Sequence, residues 1–133
     1  MLKDFKFHHV GYVTDSIDNT SAMFLKLGYE CGEKVLDPIQ NVYICFLHKN
    51  DAPGIELVEP FNESSSLNKL LKKSGVSPYH ICYEVPNIEK AYDELLEEEF
   101  IPLFRPVEAT AMDNRQICYM YKKEIGYIEL VNE

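Results

Sequence analysis

A chain of 133 residues suits one domain, or two half-sized units sharing a core, and a composition of 46% hydrophobic and 26% charged residues excludes disordered, collagen-like and disulfide-scaffold classes. The formal net charge of -9, from 22 acidic against 13 basic residues, repels polyphosphates and anionic lipid, so neither nucleic acid nor membrane is expected as a partner. No apolar run approaches the ~20 residues of a membrane helix, and "MLKDFKFHHV" lacks a signal-type apolar region, which predicts a cytoplasmic protein.

In chain order, "FHHVGYV" alternates and predicts a strand over 9–14. A helix follows, capped by Asp15 or Ser16, with Ile17, Thr20, Ser21, Phe24 and Leu27 on its core face and Gly28 ending it. Extended segments are predicted over 29–36, 42–47 and 55–59. "PFNESSSLNKLLKKSG" then presents Leu67, Leu70 and Leu71 at helical spacing and stops at Gly75, the pattern of a connecting helix. "PYHICYEV" restarts the cycle as a strand. Asn87 caps a helix carrying Ile88, Ala91, Tyr92 and Leu95, and extended segments are predicted over 101–107, 116–121 and 127–131.

The second half therefore repeats the first. "HHVGYVTDSID" overlays "YHICYEVPNIE" at an offset of 71, pairing His9 with His80, and "VYICFLHKNDAPGIELVE" overlays "RQICYMYKKEIGYIELVN" at an offset of 73, pairing Glu56 with Glu129. The expected organisation is one α+β domain over 1–133, built of a βαβββ module at 5–60, a connecting helix at 61–75 and a second βαβββ module at 76–133. Neither module is large enough to cover its own sheet and helix alone.

Strand alternation turns Ile55 and Leu57 away from Glu56, and Ile128 and Leu130 away from Glu129. Each copy thus offers one histidine on its first strand and one glutamate on its last. If the two sheets curl toward each other, His9, Glu56, His80 and Glu129 converge, and two imidazoles with two carboxylates form a mixed N/O set for a divalent metal with positions left for water or substrate. Taken singly, a strand histidine is more often a satisfied core or surface group and a strand glutamate a solvated one; matching in all four places favours the ligand reading. His8 and His48 have no mate in the repeat and read as ordinary histidines. Glu97, Glu98 and Glu99 read as a solvated helix end. Cys31, Cys45, Cys82 and Cys118 form no C-x-x-C pair and read as buried apolar side chains.

"HHVGYV", "GYIELV" and the segment "IELVEPFNESSSLNKLLKKSGVSPYHICYEV" resemble the vicinal oxygen chelate superfamily, which includes glyoxalase I, methylmalonyl-CoA epimerase, extradiol dioxygenases and bleomycin-resistance proteins. The long segment looks most like the epimerases. The resemblance implies paired modules forming a cupped mixed sheet around a metal, with His9, Glu56, His80 and Glu129 as the ligands of zinc, cobalt, nickel or manganese, and a homodimer. It implies an isomerase- or lyase-type enzyme acting on a small-molecule substrate by proton transfer next to a carbonyl, with Glu129 or Glu56 as both ligand and base. One departure is visible. Some similar bacterial epimerases carry a catalytic glutamate on the strand matching "NVYICF", where ungapped placement puts Tyr43, whose repeat mate is Gln116. The alternative is a metal-free module that sequesters a ligand in the cleft. A coenzyme A thioester would need cations for its phosphates, for which Arg105, Arg115, Lys122 and Lys123 are the candidates; a small oxo- or hydroxy-acid or a thiol adduct fits as well.

Overall fold

The computed structural model describes residues 2–133, and the chain is α+β, as expected. It divides into two compact units, one spanning His9–Tyr79 and the other joining residues 2–8 to His80–Glu133. Among the described residues no helix is long and apolar enough to cross a membrane.

The first copy of the repeat, with the connecting helix, runs β1 (Lys6–Val13), α1 (Ile17–Lys26), β2 (Glu30–Cys31), β3 (Val35–Asp37), β4 (Val42–His48), β5 (Gly54–Pro60) and α2 (Leu67–Ser74). Its strand order is β2-β4-β5-β1, with β3 also on β4; β1 and β5 are parallel and the other pairs antiparallel. The second runs β6 (Ser77–Val85), α3 (Ile88–Glu97), β7 (Ile101–Pro102), β8 (Val107–Ala109), a short 3-10 turn, β9 (Arg115–Lys122) and β10 (Gly126–Asn132). Its order, β6-β10-β9-β7 with β8 also on β9, repeats the first, down to the parallel β6–β10 pair.

α1 and α3 start in the same way. The first backbone N–H groups of a helix have no partner within it and need one from outside. Ser16 Oγ accepts from Asn19 N at 3.1 Å, and Ile17 N donates to Glu59 Oε1 at 2.7 Å. In the second copy Asn87 Oδ1 accepts from Lys90 N at 3.1 Å, and Ile88 N donates to Asn132 Oδ1 at 2.9 Å. The last strand of each copy thus reaches back to anchor the helix of that copy. Both helices also leave through a left-handed residue, Gly28 at φ 93° and Glu99 at φ 66°.

The helix-side faces of the strands carry the apolar cores. Ile17 of α1 packs on Cys45, Leu47, Ile55 and Leu57, and Ile88, Ala91, Tyr92 and Leu95 of α3 pack with Val85, Cys118, Met120, Ile128 and Leu130. Leu2 and Phe5 pack on the second cluster, and the rings of Phe5 and Phe7 meet Tyr83 edge-on at 6.1 and 6.2 Å. The helices are unequal: α1 buries only Ile17, whereas α3 buries four residues. Leu27, expected on the core face, is 60% exposed, because α1 ends at Lys26 and the chain has left the helical path.

The extended segment expected at 29–36 is two short strands broken at Gly32. Its N–H donates to Phe46 O at 2.8 Å, and a Cβ built there would lie 3.0 Å from that same carbonyl, so any larger residue would push the two backbones apart by a few tenths of an ångström. The segment expected at 101–107 breaks likewise after Pro102, with Leu103 N bonded to Tyr119 O at 2.9 Å.

Leu130 is fully buried, so Leu130→Ala should cost about 2–5 kcal/mol by cavity formation. Leu27→Ala should stay within about 0.5 kcal/mol of the parent. Urea unfolding followed by circular dichroism measures both.

Candidate functional site

The faces of β5 and β10 that turn away from the helices each carry a buried acid. Glu56 and Glu129 are both 1% exposed, flanked along the strand by Ile55 and Leu57 or by Ile128 and Leu130, which enter the cores under α1 and α3. The registers supply the rest. On β1, His9 lies in register with Gly54 and Gly11 with Glu56; on β6, His80 lies in register with Tyr127 and Cys82 with Glu129. A small residue, Gly11 or Cys82, thus stands beside each carboxylate, and the histidine comes from two residues earlier on that strand. His9 Nε2 is 3.4 Å from Glu56 Oε1, and His80 Nε2 is 3.1 Å from Glu129 Oε1. Both histidines are buried, at 0% and 3% exposure.

Each imidazole also has an aromatic neighbour from the antiparallel strand. Phe46, opposite Glu56 on β4, meets the His9 ring at 5.3 Å and 80°; Tyr119, opposite Glu129 on β9, meets the His80 ring at 5.1 Å and 56°. These two residues occupy equivalent places in the repeat, and the sequence reading passed over them: on a strand, an aromatic residue reads as core. Their pairing at an offset of 73, beside the glutamates at the same offset, was the available signal.

Tyr43 is on the other face. Its register partner is Glu59, and alternation along β4 sets it with Cys45 and Leu47 against the α1 core, its ring 5.4 Å from that of Phe61. It neither supplies nor replaces a base near Glu56. Gln116, opposite Glu108 on β9, is exposed and likewise alternates with the side opposite Tyr119. His48 is exposed and His8 half-buried, and Glu97, Glu98 and Glu99 are exposed as expected.

A carboxylate taken out of water needs positive charge close by. In each unit the neighbour is an imidazole, which provides that charge only when protonated. A divalent cation supplies it with the imidazole neutral, and the donors of each pair, one histidine nitrogen and one carboxylate oxygen, are of the mixed N/O kind that zinc, cobalt, nickel and manganese accept. Another acid on the same side of the first unit, Asp37, is fully buried but engaged in a turn, where it accepts from Ile39 N at 3.0 Å, Gln40 N at 3.1 Å and Gln40 Nε2 at 2.8 Å.

Of the cysteines expected to be buried, Cys45, Cys82 and Cys118 are, and Cys31 is exposed, on an edge strand too short to cover it. Burial, reinforced by Glu129 and Glu89, pushes the Cys118 thiol up to about 12; burial also raises Cys45. Native protein at pH 8 should therefore release one equivalent of thionitrobenzoate from Ellman's reagent, through Cys31, with the three remaining thiols reacting only in denaturant. In the cluster itself, His80→Ala should destabilise the fold by about 3–5 kcal/mol, because it leaves Glu129 buried without its imidazole.

A profile described as the glyoxalase/bleomycin resistance protein/dioxygenase superfamily matches residues 8–119. Among named relatives, the mitochondrial methylmalonyl-CoA epimerase of Bos taurus is 29% identical over 123 residues, which is 91% of this chain and 69% of the relative. The ethylmalonyl-CoA/methylmalonyl-CoA epimerase of Cereibacter sphaeroides is 31% identical over 94 residues, 69% of each chain. Among solved structures, methylmalonyl-CoA epimerase from Mycobacterium tuberculosis superposes with a TM-score of 0.86 at 22% identity, over 99% of this chain and 92% of that one. A hypothetical protein from Bacillus halodurans gives the same TM-score at 25% identity, covering 98% and 96%. Repeated modules, a matching profile and a shared fold agree: the chain belongs to the glyoxalase/bleomycin resistance protein/dioxygenase superfamily.

Proposed function

We propose that this chain is a metal-dependent enzyme of the glyoxalase/epimerase type, which moves a proton next to a carbonyl, with His9, Glu56, His80 and Glu129 as the ligands of one divalent cation. The observation that carries the proposal is the buried His–Glu pair present twice at equivalent registers, with separations of 3.4 and 3.1 Å. The epimerase relatives support the reaction class. A bound cation would supply Lewis-acid stabilisation, worth several kcal/mol, to negative charge developing on a substrate carbonyl oxygen.

The chain's own groups do the remaining work. Glu129 and Glu56 are the candidate bases: each projects a carboxylate from the middle of a strand whose other face is locked into a core, so its position is fixed before substrate arrives. With Tyr43 on the helix side, no tyrosine of β4 competes for that role. Phe46 and Tyr119 cover one side of each imidazole and hold its ring plane. A homodimer, which rests on the superfamily resemblance, a single-domain organisation with modules at 5–60 and 76–133, which rests on the repeat, and a cytoplasmic location, which rests on the N-terminal sequence, belong to the same proposal.

Deuterium entry provides the test. Metal-loaded protein incubated in heavy water with candidate oxo-acids, hydroxy-acids and acyl thioesters should place deuterium on the carbon beside a carbonyl, followed by NMR. Glu129→Gln should slow this exchange about 10²–10⁴-fold. Absence of exchange in every candidate, with the metal site filled, would overturn the enzyme reading; tight ligand binding under those conditions would favour sequestration.

A further inference from the structure

On the helix side of the second copy, a cavity of about 490 Å³ opens between the N-terminal segment, the end of α3 and the turn joining β9 to β10. Its walls include Phe5, Tyr83, Leu95, Phe100, Ile125 and Ile128, and its charged groups are Glu98 and Lys122. All of them belong to the unit that joins residues 2–8 to His80–Glu133. The volume lies within the about 300–1,000 Å³ of small-molecule sites.

The first copy shows why the space is there. At the matching places Tyr12, Phe24 and Tyr29 meet edge-on, with ring centroids 5.3 Å apart at each step. The backbone closes in the same way in both copies: Tyr29 N donates to Phe24 O at 3.2 Å, and Phe100 N donates to Leu95 O at 3.0 Å. Tyr83 and Phe100 keep the outer two rings, but Leu95 stands where Phe24 fills the middle, so the second copy lacks the central ring. The lysine diverges too. Lys49 Nζ lies 5.5 Å over Tyr29 and donates to Leu27 O at 2.8 Å. Lys122 Nζ keeps the ring contact, 5.9 Å over Phe100, but the carboxylate of Glu124 is 3.9 Å away and 69% exposed. An ion pair that long and that exposed holds a lysine weakly. An apolar slot and a loosely held ammonium therefore coincide in the second copy.

We propose that this cavity binds a medium-chain monocarboxylate, with its hydrocarbon chain on Leu95 and Ile128 between Tyr83 and Phe100 and its carboxylate paired with Lys122. The walls named above are hydrocarbon except for the Tyr83 hydroxyl, so the buried part of the ligand carries no polar group that would lose water without gaining a partner. Lys122 supplies charge for one carboxylate, and Glu98 at the rim disfavours a dicarboxylate or a phosphate. The site is separate from the buried acid: Ile128 and Glu129 are neighbours on β10 and face opposite sides of the strand, so a chain lying on Ile128 does not reach Glu129. The proposal is independent of the proton-transfer reading.

Calorimetric titration of the full chain with octanoate tests the site, with octanol and octylammonium as probes of the same chain length. Octanoate should bind about tenfold more tightly than either. Lys122→Gln should remove that preference, and Ile125→Asp should weaken octanoate about tenfold by setting a like charge at the mouth. Leu95→Phe, which restores the ring of the first copy, should abolish binding of all three. Lys122 is part-exposed and Ile125 is 54% exposed, so their variants keep the test decisive even where Leu95→Phe fails to fold, with far-UV circular dichroism as the check. Absence of octanoate binding, equal affinity for the three probes, or undiminished binding in both Lys122→Gln and Ile125→Asp would overturn the proposal. Tighter binding of octylammonium would overturn the carboxylate assignment in favour of an organic cation held by Glu98 and the rings.

Discussion

The constraint on which the structure turns is the burial of one carboxylate in the middle of a strand in each unit. Glu56 and Glu129 are as inaccessible as the leucines beside them, yet they point to the opposite side of the strand from the core. A register slip of one residue in β5 or β10 would drive the acid into apolar packing and bring Leu57 or Leu130 out of it. The buried charge and the buried hydrocarbon therefore specify the same register, and the paired histidine strand follows from it. Further along the same strands, Glu59 and Asn132 anchor the first N–H of α1 and α3, tying each helix to the strand that carries the acid.

Much of this was legible in the sequence because the chain states it twice. His9, Glu56, His80 and Glu129 are individually unremarkable; their coincidence at two fixed offsets singled them out, and alternation predicted the face of each glutamate correctly. What repetition does not preserve was harder to read. The left-handed exit from the first helix is announced by Gly28, but its counterpart is Glu99, a residue that carries no such signal. Tyr43 drew attention because placement along the sequence does not reveal which side of β4 a residue faces; pairing with Glu59 settles that. The break at Gly32 depends on the Phe46 carbonyl, contributed from a strand the local pattern does not mention. Phe46 and Tyr119 read as core residues by strand pattern alone, and only their shared offset of 73 sets them apart.

The doubled plan also separates two roles. Features shared by both copies, namely the histidine, the acid, the small residue beside the acid and the aromatic opposite it, suit the metal ligation proposed above. Features confined to one copy, such as the Tyr121 and Tyr127 pair or the Arg115–Glu84 ion pair, have no mate in the repeat. The middles of the strands that carry the acids are buried on both faces, while Tyr127, at the start of β10, is exposed.

Shared ligation of a single cation is the central claim, and calorimetric titration of chelator-stripped protein with zinc tests it most directly. One ion should bind per chain, and His9→Ala and His80→Ala should each weaken that same event by several orders of magnitude. Two ions per chain, or near-parental affinity in either variant, would mean that the two His–Glu pairs act separately and would contradict the claim.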